Sequence, residues 1–373
     1  MTERDLVACS LAPPSRRRTS AFRELLTADA DGCPGPITVS LEAFLTGLTP
    51  GGERPRDLAV RLRAEADMAI ARAQEAGLQL VAWSDLRYPA RLRTIPDPPP
   101  ALWVRGDVAA LGAPRAVAIV GSRAASSYGL SVARQLGHDL AQADVLVVSG
   151  LARGCDGCAH RGALEAGGRT VAVVGCGADV VYPPEHAGLQ DEVAASGAVV
   201  SELPPGAPPL PIHFPLRNRI ISGLVAAVVI VEASTRSGSL ITAACALEQG
   251  REVMAVPGNV LSDRHTGCHD LLRDGAGLVQ SARDVLDALG WGGCAAPAGR
   301  PSHAPADKVS AGPSGPHESG VLALLTPGEA LDLDELAARS GRKSGDLLAE
   351  LTRLELAGAV VRAPGGRFVR SRR

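Results

Sequence analysis

The fold is decided by the stretch Ala116-Val117-Ala118-Ile119-Val120-Gly121-Ser122-Arg123-Ala124-Ala125-Ser126-Ser127-Tyr128-Gly129. Its five opening apolar residues lack polar alternation, which predicts a strand buried on both faces, as in a parallel sheet covered by helices. The residues after the strand predict a tight turn and the start of a helix. Such a turn lies at the carboxyl end of its strand, where open α/β sheets bind ligands and helix N-termini attract anions.

The turn itself suggests a phosphate site. Gly121 would let the backbone approach a ligand closely, and the Arg123 guanidinium suits phosphate oxygens. The turn nevertheless lacks the third glycine of a dinucleotide fingerprint and the Gly-Lys-Ser/Thr ending of a P-loop. Taken alone, it fits a plain tight turn as well as a phosphate site.

Regular alternation of strands and helices extends from residue 116 to about 290. The apolar runs are Val117–Val120, Val145–Val148, Val171–Val174, Val199–Val200, Val225–Val231 and Val253–Val256. Helical patterns separate these runs, which predicts an α/β fold with a doubly wound, mostly parallel Rossmann-like sheet. Leu78–Trp83 predicts a strand that leads into this core. Residues 88–106 are stiffened by prolines, so we expect this segment to stay out of the centre of the sheet.

The same patterns divide the chain into four segments. A helix predicted over Arg56–Gly77 indicates a small helical N-terminal domain, and a stretch rich in Pro, Ala and Gly indicates a flexible linker. The predicted segments are an N-terminal domain over 1–80, the Rossmann-like core over 81–290, the linker over 291–318 and a C-terminal domain over 319–373.

The C-terminal segment has a winged-helix pattern. Leu331–Ser340 and Ser344–Ala357 are two helical patterns, and residues 358–370 predict a hairpin. From Ser319 onward there are nine Arg and Lys against seven Asp and Glu. This domain is barely basic, so it fits contact with protein as well as with DNA.

Composition restricts the possible functions. The net charge of −2 carries no overall basic signature, so any nucleic-acid surface must be local. The eight cysteines are scattered, and the Cys155/Cys158 pair has no second pair to complete a metal site, so we predict neither disulfides nor metal. The start of the chain has no signal-peptide core, and the longest apolar run, Leu224–Val231, is too short to cross a bilayer. We therefore expect a cytoplasmic protein without a membrane segment.

A second turn of anion-binding type follows the fifth strand of the alternation. There Ser237-Gly238-Ser239 opens a helix that contains Thr242. Two such turns on one edge of the sheet suit successive phosphates better than a single nucleotide. The arginines expected beside them are Arg123, Arg153, Arg217 and Arg219.

Two other features near these turns have competing interpretations. Phe214 precedes Arg217-Asn218-Arg219 and is either a base-stacking ring or a core residue. Asp156 is placed to cap a helix, with His160 one turn later, and the two residues fit a capped helix start with a local hydrogen bond. No serine or cysteine nucleophile accompanies Asp156 and His160 in a defined arrangement, so a hydrolytic triad is not supported.

The order of the motifs resembles that of the DNA-processing protein A (DprA/Smf) family. The matching residues are Tyr88-Pro89, Pro98-Pro99, Leu102, Ile119–Arg123, Ser149–Ala152, Asp156, His160, Tyr182-Pro183, Ser201-Glu202, Phe214-Pro215, Arg217–Arg219, Ser237–Ser239, Thr242, Val256–Gly258, Leu271 and Gly275-Ala276. The resemblance implies an extended Rossmann-like core that binds single-stranded DNA, forms a homodimer and delivers DNA to the RecA recombinase during natural transformation.

Together the turns and the resemblance predict a DNA-binding site without catalytic residues, cofactor or metal. Its predicted residues are Gly121, Ser122, Arg123, Arg153, Phe214, Arg217, Asn218, Arg219, Ser237, Gly238, Ser239 and Thr242.

The alternative is a nucleotide-binding enzyme on a similar core, such as a nucleotide phosphoribohydrolase. That chemistry needs a carboxylate near the second turn, to handle charge that develops on the ribose. None lies between Arg236 and Leu247, and the nearest on the strand side is Glu232. A dinucleotide-dependent dehydrogenase is not supported, because Gly-x-Gly-x-x-Gly is missing.

Overall fold

The computed structural model describes residues 1–12, 39–46, 48, 54–292, 320–325, 330–342, 344–363 and 366–371. By compactness the chain divides into two units. The first comprises residues 1–125 and 132–291, and the second comprises residues 126–131 and 292–373.

A nine-stranded sheet dominates the described part of the first unit. Its strands are β1 (Gln79–Ala82), β2 (Ala101–Gly106), β3 (Ala116–Val120), β4 (Leu146–Ser149), β5 (Thr170–Val173), β6 (Ala198–Ser201), β7 (Ala227–Ile230), β8 (Glu252–Ala255) and β9 (Gly277–Leu278). Their order in the sheet is β1-β2-β6-β5-β4-β3-β7-β8-β9. The seven strands from β3 to β9 all run parallel to one another, which confirms the predicted doubly wound, mostly parallel fold.

The strand from the opening stretch, β3, lies near the middle of this sheet. Val117 pairs with Val147 of β4 on one side and with Ala227 of β7 on the other. The chain adds β4, β5 and β6 on the first side and then returns to add β7, β8 and β9 on the second. The strand order therefore reverses between β3 and β7, at a topological switch point where open α/β sheets form ligand crevices.

The strand β2 corrects one expectation. Ala101–Gly106 pairs antiparallel with both β1 and β6, so this part of the proline-rich segment lies inside the sheet. The last proline of the segment is Pro100, and every residue of β2 keeps a backbone N–H for the ladder. An apolar run follows Pro100, and its residue Trp103 is fully buried. The prolines end before the strand starts, and the expectation was wrong for residues 101–106.

Helices cover the sheet. In the first unit they are α1 (Glu3–Leu11), α2 (Leu41–Leu45), α3 (Pro55–Glu75), α4 (Ala90–Arg93), α5 (Ser127–Gln142, whose first residues group with the second unit), α6 (Cys155–Glu165), α7 (Ala187–Ser196), α8 (His213–Gly223), α9 (Ser239–Glu248), α10 (Thr266–Arg273) and α11 (Ala282–Ala288). The helix predicted over 56–77 is confirmed as α3. None of the helices in the described ranges is long and apolar enough to cross a membrane.

The N-terminal helices share the core of the sheet. Leu6 of α1 and Leu62 of α3 belong to the same buried cluster as Trp103 and Val148. The boundary predicted between residues 80 and 81 falls inside β1. A separate N-terminal domain stays a prediction, and the described N-terminal residues belong to the compact unit that contains the sheet.

The second unit has the predicted winged-helix fold. Its described elements after residue 319 are α12 (Gly320–Leu324), α13 (Leu333–Ser340), α14 (Ser344–Leu356) and a sheet in the order β10-β12-β11, with β10 at Ala330–Leu331, β11 at Val360–Ala363 and β12 at Arg367–Arg370. Asp332 caps α13 by accepting the Glu335 N–H at 2.8 Å, and Glu335 accepts the Asp332 N–H in return. Phe368 packs with the buried leucines of α13 and α14. Residues 293–318, nearly all of the predicted linker, lie outside the described residues.

Candidate nucleic-acid interface

A cleft of about 590 Å³ opens at the switch point. We call it the switch-point cleft. Its walls are the turn after β3 (Gly121–Ala124), the turn after β7 (Ser237–Ser239) and the first half of α8. Both of the turns predicted as anion sites therefore meet in one cleft.

Hydrogen bonds to the protein interior fix the turn after β3. The Ser122 N–H donates to the carbonyl oxygen of Glu232 at 2.8 Å, and the Ser122 carbonyl accepts the Cys155 N–H at 3.2 Å. A Cβ at Gly121 would lie 2.6 Å from the Sγ of Cys155. Gly121 is therefore required by packing against α6, whereas the sequence suggested that it makes room for a ligand.

The turn after β7 presents hydroxyl groups and the N-terminus of α9. The hydroxyls of Ser237 and Ser239 are 2.7 Å apart, and α9 begins at Ser239. Asn218 of α8 donates its side-chain amide to the carbonyl oxygen of Gly238 at 3.3 Å. Thr242 lines the same wall one turn into the helix. These five predicted residues are brought together, and the positive end of the α9 dipole favours an anion beside them.

Aromatic rings face the cleft next to Arg123. The guanidinium of exposed Arg123 lies 5.0 Å from the centroid of the half-buried Phe214 ring, at cation–π distance. The Tyr182 ring is tilted against Phe214 with centroids 5.3 Å apart. Tyr182 was absent from the predicted site, although it belongs to a matched motif at the carboxyl end of the third predicted strand. Arg123 is thus held over a ring, with its positive charge exposed to the cleft.

Arg217 is placed differently from the prediction. Only 7% of the residue is exposed, and its Nη1 donates to the carbonyl oxygens of Gly150, at 2.7 Å, and Val173. Burial lowers the pKa of Arg217 to about 10, so it is charged at neutral pH. A Cβ at Gly150 would lie 2.2 Å from its Nη2, so glycine at that position makes room for the guanidinium. Arg217 thus supports the cleft from beneath, with donors engaged by main-chain carbonyls.

The expectation for Asp156 and His160 was wrong. The N-cap residue of α6 is Gly154, with φ of 77° and no capping side chain. The Asp156 carboxylate instead accepts the N–H of Gly150 at 3.1 Å. Burial raises the pKa of Asp156, while the charge of Arg217 opposes that rise.

His160 has a structural environment of its own. Its Nδ1 is 2.7 Å from the hydroxyl of Thr170, which donates to the carbonyl oxygen of Val147. The hydroxyl therefore accepts from His160, and the bond joins α6 to β5 rather than to Asp156. Burial lowers the pKa of His160 to about 3, so the ring is neutral at physiological pH.

The two other predicted arginines form ion pairs. Arg153 pairs with Glu185 beside the cleft, and both side chains are largely exposed. Arg219, with 12% of its side chain exposed, lies 3.1 Å from Asp97 and 2.8 Å from Glu202. It does not line the switch-point cleft. Of the four predicted arginines, Arg123 alone is exposed, faces the cleft and lacks an ion pair in the described structure.

The fold and the site together define a class of protein: a doubly wound α/β core with a polar cleft at its switch point, followed in the chain by a winged-helix domain. The chain belongs to the DNA recombination-mediator protein A family, whose sequence model matches residues 79–290. A second model, the DprA winged helix domain, matches residues 303–366. The predicted family is thereby confirmed.

Individual relatives agree with this assignment. Protein Smf of Escherichia coli is 42% identical over 293 residues, covering 77% of this chain and 75% of the relative. The structure of DNA processing protein A from Streptococcus pneumoniae matches with a TM-score of 0.66 and 35% identity, over 77% of this chain and 98% of that one. A structure of DNA processing protein A from Helicobacter pylori, which concerns the single-stranded DNA binding mode of that protein, matches with a TM-score of 0.52 and 27% identity. The match covers 57% of this chain and 95% of that one.

Proposed function

We propose that this chain binds single-stranded DNA in the switch-point cleft, protects incoming DNA and loads the RecA recombinase on it during natural transformation. The observation that supports the DNA-binding proposal is the meeting in one cleft of the two turns predicted to bind anions, with the exposed Arg123 and an aromatic ring beside them. The family relationship supports the roles in transformation and RecA loading. We also propose a homodimer in the cytoplasm on the same family grounds.

The cleft suits a strand whose bases are unpaired. Phosphates would lie against the hydroxyls of Ser237 and Ser239 at the N-terminus of α9 and beside the guanidinium of Arg123. A base would stack on Phe214, because every base offers a π-face to an aromatic ring. These contacts do not read base edges, so binding would tolerate many sequences.

We propose no catalytic activity. Within the described part of the chain, Asp156 is the one carboxylate that lines the cleft, and it is buried against the N–H of Gly150. Glu232 approaches the turn after β3 through its main chain, while its side chain is fully buried. Among the described residues that line the cleft, no carboxylate lies at the turn after β7, where a nucleotide phosphoribohydrolase would need one. This arrangement favours the binding protein over the enzyme.

Replacing Arg123 with alanine should weaken binding of all single strands to a similar degree. Because one phosphate would lose its cation, the slope of log K against log salt should flatten by about 0.7. The measurement is fluorescence anisotropy of labelled single strands across a salt series, with matched duplexes beside them. Arg283→Ala is the control, since Arg283 is exposed on α11 and does not line the cleft. Equal slopes for Arg123→Ala and the wild type would place the phosphates elsewhere.

Replacing Phe214 with alanine should lower affinity by about 1–3 kcal/mol, the usual value of one stacked base, and leave the salt slope unchanged. Phe214→Tyr keeps the stacking face and should retain most affinity. Thermal unfolding of both variants would show whether the half-buried ring also supports the fold. A stable Phe214→Ala protein that binds single strands as tightly as the wild type would contradict the stacking proposal.

A further inference from the structure

We infer that Arg264 is a positioning residue for DNA binding, which holds the turn after β3 in the shape that presents Arg123 to a phosphate. This inference rests on the proposed function of the switch-point cleft. Arg264 was not among the residues predicted from the sequence, and it does not line the cleft.

Arg264 connects the loops on either side of the switch point. It lies in the loop between β8 and α10, and its Nη1 donates to the carbonyl oxygen of Ala124, the last residue of the turn after β3. The same nitrogen lies 3.8 Å from a carboxylate oxygen of Glu232, which is the second residue after the end of β7. The Arg264 side chain is 55% exposed, whereas that of Glu232 is fully buried.

The turn after β3 is therefore held on both sides of Arg123. Before it, the Ser122 N–H donates to the carbonyl oxygen of Glu232 at 2.8 Å. After it, the Ala124 carbonyl accepts from Arg264. Arg123 projects between these two anchors over the Phe214 ring. Glu232 is close to both anchors, because its carbonyl oxygen accepts from Ser122 and its carboxylate lies 3.8 Å from the Arg264 nitrogen that bonds Ala124.

Such anchoring increases affinity without a contact to DNA. A turn that is already ordered loses less conformational entropy when the strand binds, and its arginine needs no reorganisation. Arginine suits this position because its planar fork presents several donors in fixed directions, which the single ammonium of lysine does not. The Nη1 of Arg264, which faces the turn, already donates to the carbonyl oxygen of Ala124. We therefore assign no phosphate contact to Arg264.

Salt dependence separates positioning from contact. We expect Arg264→Ala to weaken single-strand binding roughly three- to tenfold, the range for ordering one or two flexible groups. The salt slope should equal that of the wild type, because no phosphate contact is lost. Arg264→Lys should fall between alanine and the wild type. The control is Arg273→Ala, which removes another exposed arginine that lies in α10 and pairs with Asp270.

Three outcomes would overturn this inference. Unchanged affinity for Arg264→Ala would show that the turn needs no such anchor. A slope flattened by about 0.7 would make Arg264 a direct phosphate contact. The third outcome is that Arg264→Ala loses affinity only in proportion to the folded protein it loses in thermal unfolding, while Arg264→Lys binds DNA as tightly as the wild type. That outcome would show that Arg264 stabilises the fold and does not position the turn. Arg123→Ala measured in parallel tests the cleft itself, because failure of the proposed function would leave that variant unaffected too.

Discussion

Replacing Arg219 with alanine is expected to destabilise the protein by about 3–5 kcal/mol, the usual cost of leaving a buried ion pair without one partner. Its guanidinium joins Asp97 and Glu202, and 12% of its side chain and 13% of that of Glu202 are exposed. Removing it leaves the carboxylates of Glu202, with 13% of its side chain exposed, and Asp97, with 29%, without their common cation. Urea unfolding, followed by fluorescence of the buried tryptophans of the first unit, would measure the loss.

A combined replacement provides the control for Arg219. If the carboxylates alone cause the loss, Arg219→Met with Asp97→Asn and Glu202→Gln should recover much of the lost stability. DNA affinity of the folded Arg219→Ala protein should stay near that of the wild type, because Arg219 does not line the switch-point cleft. A stable Arg219→Ala protein whose salt slope flattens would instead restore Arg219 to the phosphate contacts predicted from the sequence.

Replacing Arg217 with methionine should have a comparable effect on stability, about 3–5 kcal/mol, for a different physical reason. The carbonyl oxygens of Gly150 and Val173 lose their donor, and buried Asp156 loses the cation that opposes the rise of its pKa. DNA binding should fall as well, because Gly150 belongs to the loop that supports the cleft. Urea unfolding and anisotropy on the same samples would separate the two effects.

The loss caused by Arg217→Met should depend on pH. Burial raises the pKa of Asp156 in the folded protein, and without Arg217 it rises further. A carboxyl group with a raised folded pKa favours folding when protonated, and that contribution is lost as pH rises through the folded pKa. The stability difference from the wild type should therefore be largest at neutral pH and shrink in acid. Adding Asp156→Asn should remove the pH dependence, and a difference that is constant with pH would contradict this account.

The parallel sheet was predictable because its strands are buried on both faces. Continuous runs such as Val117–Val120 leave a pattern that few other structures produce, and the turns at their carboxyl ends follow from the topology. The strand β2 was not predicted, because prolines immediately before Ala101 conceal a short apolar run. Sequence patterns predict a strand poorly where prolines lie immediately before it rather than within it.

The arginines show more clearly what could not be predicted from the sequence. Arg217 and Arg219 are two residues apart, so on a helix they point in different directions, and the sequence does not say which faces solvent. Asp97, which pairs with Arg219, is 122 residues away along the chain, and no local pattern connects them. Arg123 was assigned to the cleft because its turn directly follows a strand. Position after a strand predicted which arginine lines the cleft with its side chain exposed, and residue type alone did not.

The large sheet ends in very short strands. One edge is β9, with two residues, and the other is β1, with four. Long free edges invite other chains to add strands and lead to aggregation, and short edge strands are a common protection against it. With so few main-chain groups free at either edge, two copies of the core have little backbone with which to build one continuous sheet. The described edges therefore favour a proposed homodimer that associates through side chains rather than through shared backbone.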